Sequence, residues 1–138
     1  IKRMKKWLLV VVIWNLTACV GPSDPDQGLV ENLPVIINTN SAFSFLVRGE
    51  NYTFEENIDL SLNLPDSKTV ASTLIVTEYN STDTTFIELV DVDGLKIYDY
   101  TVNSNMTRVD QTASLKPKKA ILQGRKFSGI LEWVVTAN

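Results

Sequence analysis

Phe127-Ser128-Gly129-Ile130-Leu131-Glu132-Trp133-Val134-Val135 is the stretch on which the fold depends. In an extended chain Phe127, Leu131, Trp133 and Val135 share one face, because side chains alternate between the two faces of a strand. The stretch therefore predicts a β-strand with one buried face near the end of the chain.

Short apolar and β-branched runs of the same kind fill the chain from residue 35 onward. The clearest is Ile58–Leu64, in which every second residue is Ile or Leu. The other predicted strands are 35–38, 43–47, 70–79, 85–92, 95–102, 106–115 and 119–123. Turn residues separate them at 48–51, 65–67, 80–83, 93–94, 103–105, 116–117 and 123–124. About eight or nine short strands without a helical period predict an all-β fold, an immunoglobulin-like or jelly-roll-like antiparallel β-sandwich, with a closed barrel as the second choice.

The dipeptide Asp93-Gly94 lies between two apolar runs and is the strongest hairpin signal in the chain. A two-residue type I′ turn needs positive φ at both central positions, which Asp-Gly adopts at little cost. We therefore expect a tight reversal flanked by Val92 and Leu95.

The N-terminal region has the three parts of a secretory signal. Four basic residues lie within the first six positions, the apolar stretch 7–14 follows, and Leu16-Thr17-Ala18-Cys19 comes next. No acidic residue occurs in the first 23 positions. A transmembrane span needs about 20 apolar residues, so this stretch is too short to be one.

This arrangement resembles the lipobox of bacterial lipoproteins. The resemblance implies that residues 1–18 are a short helical signal peptide, and that Cys19 becomes the first residue and carries diacylglycerol on its sulfur. Residues 19–28, which are rich in Gly, Pro and Asp, then form a flexible tether to a β-sandwich domain at 29–138. The implied partner is the lipid bilayer. Because Val20, and not Asp, follows the cysteine, the implied location is the outer membrane, at its periplasmic face or at the cell surface.

The charge of the chain argues against a nucleic-acid partner. There are 16 acidic and 13 basic residues, and four of the basic residues precede Cys19, so the mature chain is distinctly acidic. Binding a duplex needs a basic stripe, whereas the mature chain has only a short cluster at Lys116, Lys118, Lys119, Arg125 and Lys126, which we interpret as a solvated loop edge.

The sequence offers no catalytic constellation and predicts a protein that is not an enzyme and needs no cofactor. It contains no histidine, and Cys19, the one cysteine, is the predicted lipid site. Asp91 and Asp93, followed by Gly94, resemble half of a calcium loop, but the position where such a loop has its glutamate is Tyr100. The hairpin accounts for these residues without a metal, so calcium is only a weak alternative.

Lys96, Tyr98 and Tyr100 form the best candidate partner surface that the sequence suggests. They share one face of a predicted strand with Val102, and exposed tyrosines give contact area at low entropic cost. This interpretation requires that the face be exposed at a sheet edge. The alternative is that the tyrosines pack against the second sheet.

Residues 69–138 also resemble small β-sandwich proteins of tailed-phage particles. The resemblance is carried by the strand 69–77, the polar turn Asn80-Ser-Thr-Asp, the strand 86–94, and Ala113-Ser-Leu-Lys-Pro-Lys-Lys, with Lys118 where glycine is usual. Two functions therefore stay open. One is an envelope lipoprotein that binds or scaffolds another envelope protein without catalysis, and the other is a phage- or prophage-encoded virion or superinfection-exclusion protein.

Overall fold

The computed structural model describes residues 28–65, 69–113 and 116–138. The predicted signal peptide, the lipobox with Cys19 and most of the tether lie outside the described residues. Within those ranges, no helix is long and apolar enough to span a bilayer. The strands are β1 Val35–Asn38, β2 Ala42–Asp59, β3 Thr69–Thr77, β4 Thr85–Asp91, β5 Lys96–Val102, β6 Met106–Ala113 and β7 Pro117–Ala137.

Two long strands, β2 with 18 residues and β7 with 21, run through both layers of the fold. The C-terminal half of β7 pairs with β3 and with the N-terminal half of β2, to which β1 adds at one edge and β6 at the other. We call these strands layer A. The N-terminal half of β7 pairs with β4 and with the C-terminal half of β2, and β5 adds to β4; this is layer B.

One antiparallel sheet thus curls into two layers, which confirms the prediction of an all-β antiparallel sandwich. Among the described strands, β5 pairs only with β4, and β6, the last strand of layer A, pairs only with β3. The sheet therefore has free edges, and the closed barrel is wrong.

The chain passes from layer A to layer B through bulges, where the sequence had predicted turns at 48–51 and 123–124. The β2–β7 register shifts on both sides of Tyr52, and Asn51 has a φ of 51°. At the bulge, side-chain hydroxyl groups accept hydrogen bonds from backbone amides that have no partner on the neighbouring strand. Asn51 N–H donates to Ser128 Oγ at 2.8 Å, and Lys126 N–H donates to Thr53 Oγ1 at 3.1 Å. Both strands continue through the bend, so the described residues form seven strands where the sequence predicted eight or nine.

The core lies between the two layers, and β7 contributes its centre. Phe127, Leu131, Trp133 and Val135 are all fully buried, which confirms the face predicted from their alternation. The Trp133 and Phe43 rings pack in a T-shaped arrangement, with centroids 5.5 Å apart. Aromatic pairs in this geometry are stabilised beyond the area they bury.

The segment Ile58–Leu64 follows its predicted alternation but not its predicted secondary structure. β2 ends at Asp59, although Leu60 is buried and Leu62 and Leu64 still pack against the core. Two backbone bonds continue beyond the strand, from Leu60 N–H to Lys118 O at 2.8 Å and from Asn63 N–H to Asn40 O at 2.9 Å. The Asn38 side chain adds to them, since it donates to Asp59 O at 2.8 Å and accepts from Ser61 N–H at 2.9 Å. Alternation predicted which side chains point inward, whereas no periodicity reveals that a side chain takes part in the backbone pairing.

Candidate functional site

Tyr98 and Tyr100 point into the sandwich, so the alternative left open by the sequence is the one the structure shows. Tyr100 is only 3 % exposed, and its hydroxyl oxygen lies 2.9 Å from Ser72 Oγ and 3.0 Å from Asp110 Oδ2, within hydrogen-bond distance of both. The Tyr98 hydroxyl lies 2.7 Å from Thr112 Oγ1. The two tyrosines therefore connect β5 of layer B to β3 and β6 of layer A, and they do not form an exposed partner surface.

Lys96, the third residue of that predicted surface, is exposed at the edge of layer B. Its Nζ lies 2.6 Å from Glu88 Oε1 and 3.3 Å from Asp99 Oδ2. The hydrogen bond to Glu88, followed by that to Asp99, raises the pKa of Lys96 above its usual value. Exposed pairs of this kind contribute little to stability. Lys96 therefore lies at the surface of the sheet edge, away from the buried tyrosine hydroxyl groups.

The surroundings of Tyr100 predict a loss of stability at alkaline pH. Burial, reinforced by the Asp110 carboxylate, raises the pKa of Tyr100 well above its ordinary value of about 10. The unfolded chain then ionises this phenol at a lower pH than the folded chain does, so the free energy of unfolding falls as the pH rises above about 10. Denaturant titrations across this range should show a shallower decline for Tyr100→Phe than for the unsubstituted chain; equal slopes would contradict the prediction.

The loop at Asp91–Leu95 is a hairpin, as predicted, but the two-residue type I′ turn is wrong. Asp91 N–H donates to Leu95 O at 2.9 Å and Gly94 N–H donates to Asp91 O at 3.2 Å, which leaves three residues in the loop. Only Gly94, at φ 81°, has positive φ in this loop. The reason is the Asp91 carboxylate, whose Oδ1 accepts the N–H groups of Asp93 and Leu95, both at 2.9 Å, and so stabilises the longer loop.

The same geometry bears on the weak calcium candidate. Asp91 is nearly buried, and its Oδ1 is already bonded to two backbone amides, whereas Asp93 is exposed. In the part of the chain that the structure describes, no three acidic, histidine or cysteine side chains converge as a metal site. The two aspartates therefore have a structural account that needs no metal.

Strand β1 is the feature that sequence reasoning missed as a functional candidate. Five large hydrophobic residues are exposed in or just before it: Val30, Leu33, Val35, Ile36 and Ile37. β1 pairs with β2 on one side, carries no charged residue, and leaves its other edge free among the described strands. Natural sheets usually protect such edges with charges, bulges or covering segments, because a free apolar edge pairs readily with another strand.

A signal for this edge is present in the sequence. Val35-Ile36-Ile37 lacks the alternation of the other strands and directly follows Pro34. Proline cannot donate to a ladder and occurs at the first residue of a strand or on edge strands. A strand that is apolar on both faces is usually buried on both, so its exposure here is what distinguishes β1.

The described surface includes two shallow depressions with defined linings. One, of about 260 Å³, lies at the bulge and is lined by Thr53, Phe54, Glu55, Gln123, Gly124 and Arg125. The other, of about 290 Å³, is lined by Asn40, Ser41, Asn63, Pro65 and Ala137. Neither lining contains the pair of carboxylates that general acid–base hydrolysis of a glycoside requires.

No protein-family model and no curated protein matches this chain. Three solved structures are distantly similar to it. A structure described as "Bacillus endospore appendages form a novel family of disulfide-linked pili" has a TM-score of 0.42 at 10% identity, covering 76% of this chain and 88% of that one. A family 29 carbohydrate-binding module with cellulohexaose has a TM-score of 0.34 at 8% identity, covering 75% of each chain, and a CBM4 structure has 0.27 at 15%, covering 86% of this chain and 84% of that one.

Proposed function

We propose that this chain is an outer-membrane lipoprotein, anchored through acylated Cys19, whose β-sandwich binds another envelope protein without catalysis. The observation that supports the binding role is the free, uncharged and aliphatic edge of β1. The anchoring role rests on the sequence Leu16-Thr17-Ala18-Cys19 and the basic and apolar segments before it.

The binding mode that fits β1 is strand addition. An extended segment of a partner would take the free backbone groups of β1 as its ladder and would cover the exposed side chains of Ile36 and Ile37. Affinity in this mode comes from backbone hydrogen bonds, and specificity comes from the side chains on alternate positions. Neither contribution requires a catalytic group or a cofactor.

The position of β1 suits a tethered module. Asn32, just before β1, donates its N–H to Arg48 O at 2.8 Å and accepts Glu50 N–H on its Oδ1 at 2.8 Å. These bonds fix the segment before β1 to the part of β2 that adjoins the bulge. The tether would therefore join the sandwich at the bulge, and β1 would run away from it with its free edge outward.

Substitution of Cys19 by serine tests the anchor. We expect Cys19→Ser to take up no labelled fatty acid and to appear in the soluble fraction or as an unprocessed precursor, because the thiol is the acyl acceptor. Two or more acyl chains are needed for stable anchoring, so the loss should be complete and not partial. Labelled fatty acid in the Cys19→Ser chain would refute the lipobox interpretation.

Substitution of Ile36 by lysine tests the edge. A charge on an edge strand opposes addition of a further strand, so Ile36→Lys should lose most of the envelope protein that the unsubstituted chain retains on capture from detergent-treated envelopes. Val92→Lys, at an exposed position on the β4–β5 hairpin, is the control and should retain it. Equal retention by both variants would contradict strand addition, and recovery of the chain with purified virions would favour the phage-encoded alternative.

A further inference from the structure

The outer face of layer A, which turns away from the core, is largely aliphatic. The register aligns one row as Ile37, Ser44, Val134, Thr73 and Val109 across all five strands. A second row contains Val35, Leu46, Glu132, Ile75 and Thr107. A third, shorter row contains Arg48, Ile130 and Thr77, of which Ile130 is already buried within the single chain. We call these three rows the aliphatic face; Glu132 and Arg48 are its only charged residues.

The outer face of layer B has the opposite character. The pairing of β2, β7, β4 and β5 places six charged side chains on this face: Glu55, Asp59, Glu88, Lys96, Asp99 and Lys119. The two layers are therefore covered differently, although both present one face to the outside. A charged outer face needs water, whereas a face of valine and isoleucine gains free energy when it is covered.

We propose that the aliphatic face is the contact between two copies of this chain. The first argument is charge. The chain as a whole is acidic, with 16 acidic against 13 basic residues, but this face has one charge of each sign. Two copies that meet through this face bring together surfaces with no net charge. Contact through the outer face of layer B would instead bring several carboxylates of one copy close to those of the other.

The second argument is area. Four strands of about eight residues and β1 with four, spaced about 4.8 Å apart at about 3.3 Å per residue, give a face of about 600 Å². Two copies would bury about 1,200 Å² together, which is the lower limit of specific, stable interfaces.

Two valines of nearly equal exposure allow a matched test. Val109 lies on the aliphatic face and is 65% exposed, and Val92 lies on the β4–β5 hairpin and is 67% exposed. Each is changed to glutamate in the full chain, and light scattering during gel filtration in a non-ionic detergent gives the protein mass of each particle. We expect a mass of two chains for the unsubstituted protein and for Val92→Glu, and one chain for Val109→Glu.

The expected effect at Val109 is large because each dimer would bury two unpaired carboxylates, which should raise the dissociation constant about a hundredfold or more. A dimer with a dissociation constant of about 1 μM would be almost fully formed at about 100 μM. A single-chain mass for the unsubstituted protein at that concentration would therefore overturn the proposal, and the face would then be covered by a bilayer or by another protein. A dimer that Val109→Glu leaves intact would also overturn the proposal.

The edge variant separates this proposal from the proposed function. Ile36 points to the inner side of β1, since it pairs with the buried Phe45, and it is not part of the aliphatic face. Ile36→Lys should therefore remain a dimer while it loses the strand-adding partner, and Val109→Glu should show the reverse. If Ile36→Lys abolishes the dimer and Val109→Glu does not, the copies meet at the β1 edge and the aliphatic-face proposal is wrong.

Discussion

Replacing Gly124 by alanine is expected to destabilise the protein by about 3 kcal/mol or more, because the site has no room for a methyl group. Gly124 lies opposite Phe54 in the β2–β7 pair, and a Cβ at this position would overlap three atoms of the Phe54 ring. The ring has little freedom to move. It is buried, and it stacks on Phe45 with centroids 5.6 Å apart and on Tyr52 with centroids 5.1 Å apart.

Denaturant unfolding of the full chain, followed by tryptophan fluorescence, measures this loss. Gly94→Ala is the control, because no atom lies within 4 Å of a Cβ at Gly94 and its φ of 81° costs alanine only about 1 kcal/mol. Phe54→Leu should recover part of the loss in the Gly124→Ala chain, since the smaller side chain makes room at the bulge. The prediction fails if Gly124→Ala and Gly94→Ala cost the same.

Gly124 also shows why the strand count was predicted wrongly. Glycine within a strand pattern marks either a turn or a close approach of neighbouring groups, and the sequence does not distinguish the two. Gly124 marks a close approach and not a turn, because the Phe54 ring occupies the space where a side chain would be. Alternation of side chains, in contrast, depends only on local geometry, which is why the inward residues of β7 were predicted correctly.

The tyrosines of β5 illustrate the same limit for a candidate site. Their shared face follows from period two, but whether that face points to solvent or to the other layer depends on where β5 lies in the sheet. β5 pairs with β4 at the edge of layer B, opposite β6 of layer A. That placement results from long-range pairing of β4 with β7, which no local pattern contains.

The β1 edge and the aliphatic face were difficult to predict for a related reason. Val109 and Val134 have the sequence context of ordinary strand residues, and their place on the outer face of layer A follows only once the order β1-β2-β7-β3-β6 is known. The predicted lipobox at Leu16–Cys19 is the reverse case. Its prediction depends only on neighbouring residues in the sequence, and it remains a prediction that fatty-acid labelling can decide.

Replacing Ser72 by alanine is expected to destabilise the protein by about 2 to 3 kcal/mol, because one buried hydroxyl group serves two partners. Ser72 Oγ accepts the Trp133 indole N–H at 2.9 Å and also lies 2.9 Å from the Tyr100 hydroxyl oxygen, with which it shares a hydrogen bond. Without it, the indole N–H of a fully buried tryptophan loses its acceptor, and an unsatisfied buried donor costs about 1 to 3 kcal/mol. Tyr100 keeps its bond to Asp110 at 3.0 Å, so the second loss is smaller.

Tyr100→Phe and Ser44→Ala separate this account from a general effect of the substitution. Tyr100→Phe leaves the Ser72–Trp133 bond in place and should cost about 1 kcal/mol, since only one donor is removed. Ser44→Ala makes the same chemical change on the outer face of layer A, where it should cost less than about 0.5 kcal/mol. Equal midpoints of urea unfolding for Ser72→Ala and Ser44→Ala would contradict the role of Ser72. A larger loss at Ser72 would mean that the link between β5 and β3 is a polar contact built into the core, and that these tyrosines hold the layers together.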